Sequence, residues 1–159
     1  MEERKEQGRE SRNNRRLWRL GTRDPRCSRC GERRPVALLL TADSIICYEC
    51  RQSELDHPLI EGHHIAGRKN DRFKVPLSGN HHRYASDLQV DWPKKTFDNP
   101  HRSPVLRDAA RLRGIKDLFY IAGDYFLTIA SLLEELDHLQ KQGSAPLNRG
   151  REIKENHRQ

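Results

Sequence analysis

The sequence predicts an α+β protein assembled from small stapled units, and three observations carry that expectation. All four cysteines fall in one C-x2-C…C-x2-C array: Cys27, Cys30, Cys47 and Cys50. Two adjacent histidine pairs, His63-His64 and His81-His82, flank a loop rich in Gly, Asn and Asp and the short apolar run Val75-Pro76-Leu77. Beyond Pro104, apolar residues recur at helical spacing as far as Leu139. Composition agrees, because 34% hydrophobic against 33% charged residues in a chain of 159 leaves too little for one large core. Units this small usually need a staple such as a metal.

Residues 1–22 read as a flexible basic arm, disordered or weakly helical. The first 20 residues hold seven basic and four acidic side chains, with almost nothing to bury before Leu17-Trp18. Two roles are open for Arg15-Arg16-Leu17-Trp18-Arg19. It can touch phosphates and stack on a base, or it can tuck Trp18 onto the next unit.

Residues 23–57 form the expected four-cysteine zinc module. Two residues between cysteines let both sulfurs of a knuckle face one ion, and sixteen residues separate the knuckles. Four thiolates close a tetrahedron around structural Zn²⁺ and leave no open position for substrate. Residues 36–40 and 44–47 read as short strands around a turn at 41–43. The unit is then a zinc ribbon, or a treble clef if 51–56 forms a helix growing from the second knuckle. Two disulfides are the rival, but no secretion signal supports an oxidising compartment.

Residues 58–92 carry the chemistry. His57-Pro58 breaks any helix, and 59–61 read as a strand ending at the first histidine pair. Residues 67–72 form a polar, basic loop, 73–77 the return strand, and 78–80 the turn and N-cap of a helix running to Gln89. Histidine is the commonest ligand for transition metals and the side chain best tuned for proton transfer near neutral pH.

The pattern His-His-Ile-x-Gly-Arg followed by Val-Pro-Leu-Ser-x-Asn-x-His-Arg resembles the HNH (ββα-metal) nucleases over about 30 residues. The resemblance implies an HNH-like ββα-metal module in which His63 and His82 bind a catalytic ion and His64 is the general base. The position usually taken by the family's middle asparagine is Phe73 here. Asn70 and Asn80 are the nearest substitutes for the role of orienting His64. His81 and Asp87 are candidates to complete the ion site, and Arg68, Lys69 and Arg83 are candidates to hold flanking phosphates. The implied activity is metal-dependent hydrolysis of phosphodiester bonds in double-stranded DNA. Imidazole ligands favour Zn²⁺, Ni²⁺ or Mn²⁺ over Mg²⁺, and the family's Mg²⁺-using members generally offer a carboxylate where this chain has His63. The alternative is a non-catalytic, zinc-dependent nucleic-acid-binding or adaptor protein with a degenerate HNH site.

Residues 93–103 read as an irregular connector, and two roles are open for Trp92 just before it, packing onto the motif helix or stacking on a base. The helical region 104–142 opens with Ser103 as N-cap and Pro104 at the first helical position, and Gly114 is expected to break it in two. Ile115, Leu118, Ala122, Tyr125, Ile129, Leu132, Leu136 and Leu139 form a heptad-like seam. It is expected to pack against the metal modules or, as a homodimer through the 115–141 helix, against a second copy. Residues 143–159 read as a flexible basic tail. The formal charge is +7. Residues 63–113 hold 11 Lys/Arg against 5 Asp/Glu, so the basic excess coincides with the histidines and favours an anionic partner. No apolar run is long enough for a membrane span, which makes a cytoplasmic protein the expectation.

Overall fold

The structure, a computed structural model, describes residues 2–143. The chain divides into two compact units, Met1–Ala122 and Gly123–Gln159. The first is mixed α/β with two separate two-stranded sheets.

Its N-terminal segment is a helix, α1 (Glu2–Leu20), the more ordered of the two forms, disordered or weakly helical, that the sequence suggests for the arm. Long-range charge pairing holds it. Arg12 and Arg16 meet Asp87 at 3.0 and 2.7 Å, while Arg9 and Arg12 meet Asp91 at 3.0 and 2.8 Å. The residue that anchors its end is Leu20, packed with Cys27, Leu38, Ile46 and Cys47, and not Trp18, which is 86% exposed.

Strands β1 (Leu38–Leu40) and β2 (Ile45–Cys47) pair antiparallel, with Leu38 opposite Cys47. Helix α2 (Tyr48–Glu54) grows directly from the second cysteine knuckle, with Cys47 as its N-cap. A second antiparallel pair follows, β3 (Ile60–His64) and β4 (Lys74–Ser78), in the register His63 to Val75. Helix α3 (Gly79–Gln89) starts at the end of β4 and lies against β3. Gly79 is required by crowding, since a Cβ there would stand 2.8 Å from both Gln52 Oε1 and Tyr48 Cδ1.

The connector is partly regular: it contains α4 (Lys94–Asp98). Trp92 packs with Ala66 and Ala110, and its Nε1 donates to Asp117 Oδ2 at 2.9 Å. Helix α5 (Pro104–Gly143) is continuous through Gly114. That glycine is buried against β3's exit, where a Cβ would fall 2.1 Å from the Ile65 carbonyl oxygen. It permits a close approach and does not break the helix. The face that α5 buries within the first unit is Ala110, Gly114, Asp117 and Ile121, with Ile121 against Ala85 and Leu88 of α3. This face is rotated from the apolar seam read in the sequence, whose Ile115 is exposed.

In the second unit the described residues are the C-terminal part of α5. Tyr125, Phe126, Leu127, Ile129, Leu132, Leu133, Leu136 and Leu139 are all exposed there. The basic tail expected at 143–159 lies, beyond Gly143, outside the described residues. No described helix is long and apolar enough to cross a membrane.

Two glycines in one helix give a test with opposite signs. Gly114→Ala should destabilise by about 1–3 kcal/mol, because the added methyl meets backbone that must move. Gly123→Ala, with nothing within 4 Å, should stabilise by up to about 1 kcal/mol through helix propensity. Thermal or denaturant unfolding of the two variants reads both signs.

Candidate functional site

Two clusters meet across α3. The first comprises Cys27, Cys30, Cys47 and Cys50, whose sulfurs all lie within 4.8 Å of one another. A tetrahedral ion with bonds of about 2.3 Å places thiolates roughly 3.8 Å apart, so a cluster of this size can hold one. The observed Cys30–Cys47 Sγ separation is 3.5 Å. At Cys27 burial opposes thiolate formation, but backbone amides of Cys30, Arg29 and Cys47 outweigh it and bring that thiol to about 6. Burial and the neighbouring sulfurs push Cys30 up to about 11 and raise Cys50 as well. Four sulfurs packed this closely, with the Cys27 thiol readily ionised, are a donor set suited to a cation. The set is consistent with structural zinc.

The second cluster is built from β3, α3 and the loop between β3 and β4. His63 is 5% exposed, and its ring meets that of His82 edge-on with centroids 5.2 Å apart. Gln89 fixes the tautomer of His63. Its Nε2 lies 2.8 and 3.2 Å from the carbonyl oxygens of His64 and Ile65 and 3.0 Å from His63 Nε2; an amide nitrogen has two hydrogens and no lone pair to accept with, so the three groups share those hydrogens and the imidazole nitrogen facing them is an acceptor. The lone pair of His63 therefore sits on Nε2, and an ion taken there would replace the Gln89 hydrogen bond. Burial, with His82 and His64 adding repulsion, pushes His63 down to about 4. It is neutral at neutral pH, the form in which an imidazole binds a metal.

His82 Nδ1 is buried without an aligned hydrogen bond and stands 2.6 Å from Glu61 Oε2. A shared ion or a shared proton would satisfy both groups. Burial lowers the His82 pKa, Arg83 and Arg68 lower it further, and Glu61 opposes them. Glu61 is itself held by Gln52 Nε2 at 2.9 Å. The sequence reading passed over Glu61, although it precedes His63 by two residues and so shares its face of β3.

His64 is partly buried, and its Nδ1 lies 3.0 Å from the backbone carbonyl of Asp71. A carbonyl only accepts, so Nδ1 carries the proton and Nε2 holds a basic lone pair. The loop carrying that carbonyl is locked by Asn70, whose Nδ2 donates to the carbonyls of Ala66 and Thr96, both at 3.0 Å. Asn80 does not reach this histidine. It bridges to the cysteine unit, accepting from the Glu49 amide at 3.1 Å and donating its own amide to Glu49 Oε1 at 2.9 Å.

Other expected site residues are placed elsewhere. Asp87 is taken by Arg12 and Arg16, and although burial opposes its ionisation these cations hold its pKa down, so it does not join His63 and His82. His81 Nδ1 meets Ser78 Oγ at 2.8 Å. Lys69 pairs with Asp98 at 2.7 Å, and the Arg83 guanidinium lies 3.9 Å above the Tyr48 ring. Arg68 is exposed and has no ion pair among the described residues. Among those residues, the cysteines are the one group of three or more His, Cys, Asp or Glu ligands within metal-binding distance.

Comparison with protein-family models, curated proteins and solved structures gives no match to this chain.

Two measurements test the clusters. Cys50→Ser should lose about one equivalent of bound metal per chain relative to wild type and melt earlier, as a chelator should make the wild type do. Elemental analysis and melting curves read this. For His63, an unfolded histidine titrates near 6.5 and the folded one near 4, so protons favour the unfolded chain in between. Stability is complete above pH 6.5 and falls as pH drops toward 4. A His63→Gln variant should show a flatter dependence of Tm on pH over that window.

Proposed function

We propose that the chain is a metal-dependent endonuclease of the HNH (ββα-metal) type that hydrolyses phosphodiester bonds in DNA, carried beside a zinc-stapled unit of treble-clef form. The observation that carries this reading is the tautomer of His64: its Nδ1 proton is committed to the Asp71 carbonyl, which leaves Nε2 as a proton acceptor on the residue that follows His63. The order β3, β4, α3, with histidines at the end of the first strand and the start of the helix, supports it. So does the hairpin followed by a helix at the second cysteine knuckle for the treble clef.

In the proposed step, His64 Nε2 takes a proton from water as the water oxygen bonds to phosphorus. The bond from phosphorus to the 3′-oxygen breaks, and that oxygen leaves with a proton from solvent. Glu61 orients His82 as a positioning residue. An ion on the two histidines would supply charge neutralisation at the scissile phosphate and leaving oxygen. Imidazole donors would suit Zn²⁺, Ni²⁺ or Mn²⁺ better than Mg²⁺.

One observation favours a second reading. The histidine cluster does not bring three ligand atoms together as the cysteines do, which is what a degenerate site in a non-catalytic nucleic-acid-binding or adaptor protein would retain.

Supercoiled-plasmid nicking with each of Mg²⁺, Mn²⁺, Ni²⁺ and Zn²⁺ separates the two. A nuclease nicks with at least one ion, and His64→Ala lowers the rate by about 10²–10⁴-fold, the usual contribution of a general base. DNA binding without nicking under any ion would establish the non-catalytic reading instead.

A further inference from the structure

We infer that the cleft between the β3–β4 loop and the turn entering α5 is a docking track for a nucleic-acid backbone, gripped by Arg68, Arg72, Arg102 and Arg107. It rests on the nucleic-acid reading above and adds to Arg68, which the motif contains, three arginines that lie outside it.

The cleft has a volume of about 710 Å³. Its charge is unbalanced in a specific way. The acidic side chains on its walls are already engaged, Asp98 with Lys69 and Asp71 with Arg111, each at 2.7 Å. Among the described residues none of the four arginines meets a carboxylate, and all four are exposed. Four uncompensated guanidiniums around one cleft repel one another unless a polyanion enters. Guanidinium groups present planar forks that match phosphate oxygens. No aromatic side chain lines the cleft, so nothing there offers a stacking platform for bases. The recognised group is therefore the phosphodiester backbone, read without sequence.

The walls are built and not incidental. Asn70 and Asn99 are buried, and Asn99 Nδ2 donates to Asn70 Oδ1 at 2.9 Å, tying the two sides together. Arg102 is held in the left-handed region, with φ of 51°, because its amide donates to the Asn99 carbonyl and Asn99 Oδ1 caps the next residue, Ser103, at 2.8 Å. A non-glycine residue keeps such a conformation only when its surroundings impose it. Asp71 lines the cleft and its carbonyl holds His64. A strand lying in the track would thus run beside the proposed base and be registered by the same loop.

The test is binding of a short DNA duplex by fluorescence anisotropy across a salt series, using the full chain. Arg72→Gln/Arg107→Gln should lower the slope of log K against log salt by about two, since each phosphate contact contributes roughly 0.9. Arg102→Asn, which keeps a residue tolerant of positive φ, should lower it by about one. The control Arg23→Gln/Arg33→Gln removes the same net charge from exposed positions in the cysteine unit and should leave the slope as in wild type. A cleft variant that behaves like this control overturns the inference. Polyglutamate displacing the protein as readily as DNA at equal charge concentration overturns the assignment of the occupant. Nicking by wild type with an unchanged slope in the cleft variants would remove the track and keep the nuclease. A lowered slope with no nicking under any ion would keep the track and remove the nuclease.

Discussion

The cysteine cluster is the constraint on which the geometry of the first unit depends. Helix α2 begins inside it, capped by the Cys47 sulfur, which accepts from the Cys50 amide at 3.3 Å. From that helix two side chains reach the histidine module. Gln52 holds Glu61, the carboxylate beside His82, and Glu49 exchanges hydrogen bonds with Asn80 at the start of α3. An ion closing four thiolates would therefore fix the entry of α2 and, through it, the positions of Glu61 and His82. Seven residues of α2 are too few to hold a helix by propensity alone. The thiol cluster and these hydrogen bonds do what chain length does not.

Helix α3 is where the contributions converge. One end presents His82 toward Glu61, and the other presents Gln89 to His63. Its outer side offers Asp87, which with the following Asp91 receives three arginines of α1. Partly buried ion pairs of this kind are weak as net stabilisers but costly to break on one side, because the partner charge is then left desolvated. Their effect here is to fix which face of α1 turns inward. Trp18 is left outside as a result, on a helix whose inward face is charged rather than apolar.

What was legible in the sequence follows the range of the interactions involved. Two-residue spacing between cysteines is local, and so are the turn residues around both hairpins, which is why the elements of 36–47 and 60–89 lie within a few residues of the expected ones. The packing of α5 was not legible because its buried face is Ala110, Gly114, Asp117 and Ile121. A search for large apolar residues passes over a glycine that makes room for a carbonyl and an aspartate that accepts from Trp92. The same search selected Ile115 and the residues beyond Tyr125, which are exposed in this chain. The docking of helix α1 is not legible in the sequence because its partners lie more than 70 residues away. Glu61 was within reach of sequence reasoning, since alternation along a strand puts it on the same face as His63.

The role of the asparagines shows how a polar loop becomes rigid without a core of its own. Asn70 is one turn residue in a stretch of Gly, Arg, Lys and Asp, and on composition alone that stretch would be mobile. Its side chain instead satisfies the carbonyls of Ala66 and Thr96 and accepts from Asn99, so a single buried amide joins β3's exit, α4 and the turn before α5. Buried amides can do this because every donor and acceptor has a partner, and removing one would strand the others in a low dielectric. The loop's free carbonyl at Asp71 is then available at a fixed place, where it sets the His64 tautomer. Orientation of that imidazole is achieved by a backbone group whose position is imposed from three directions.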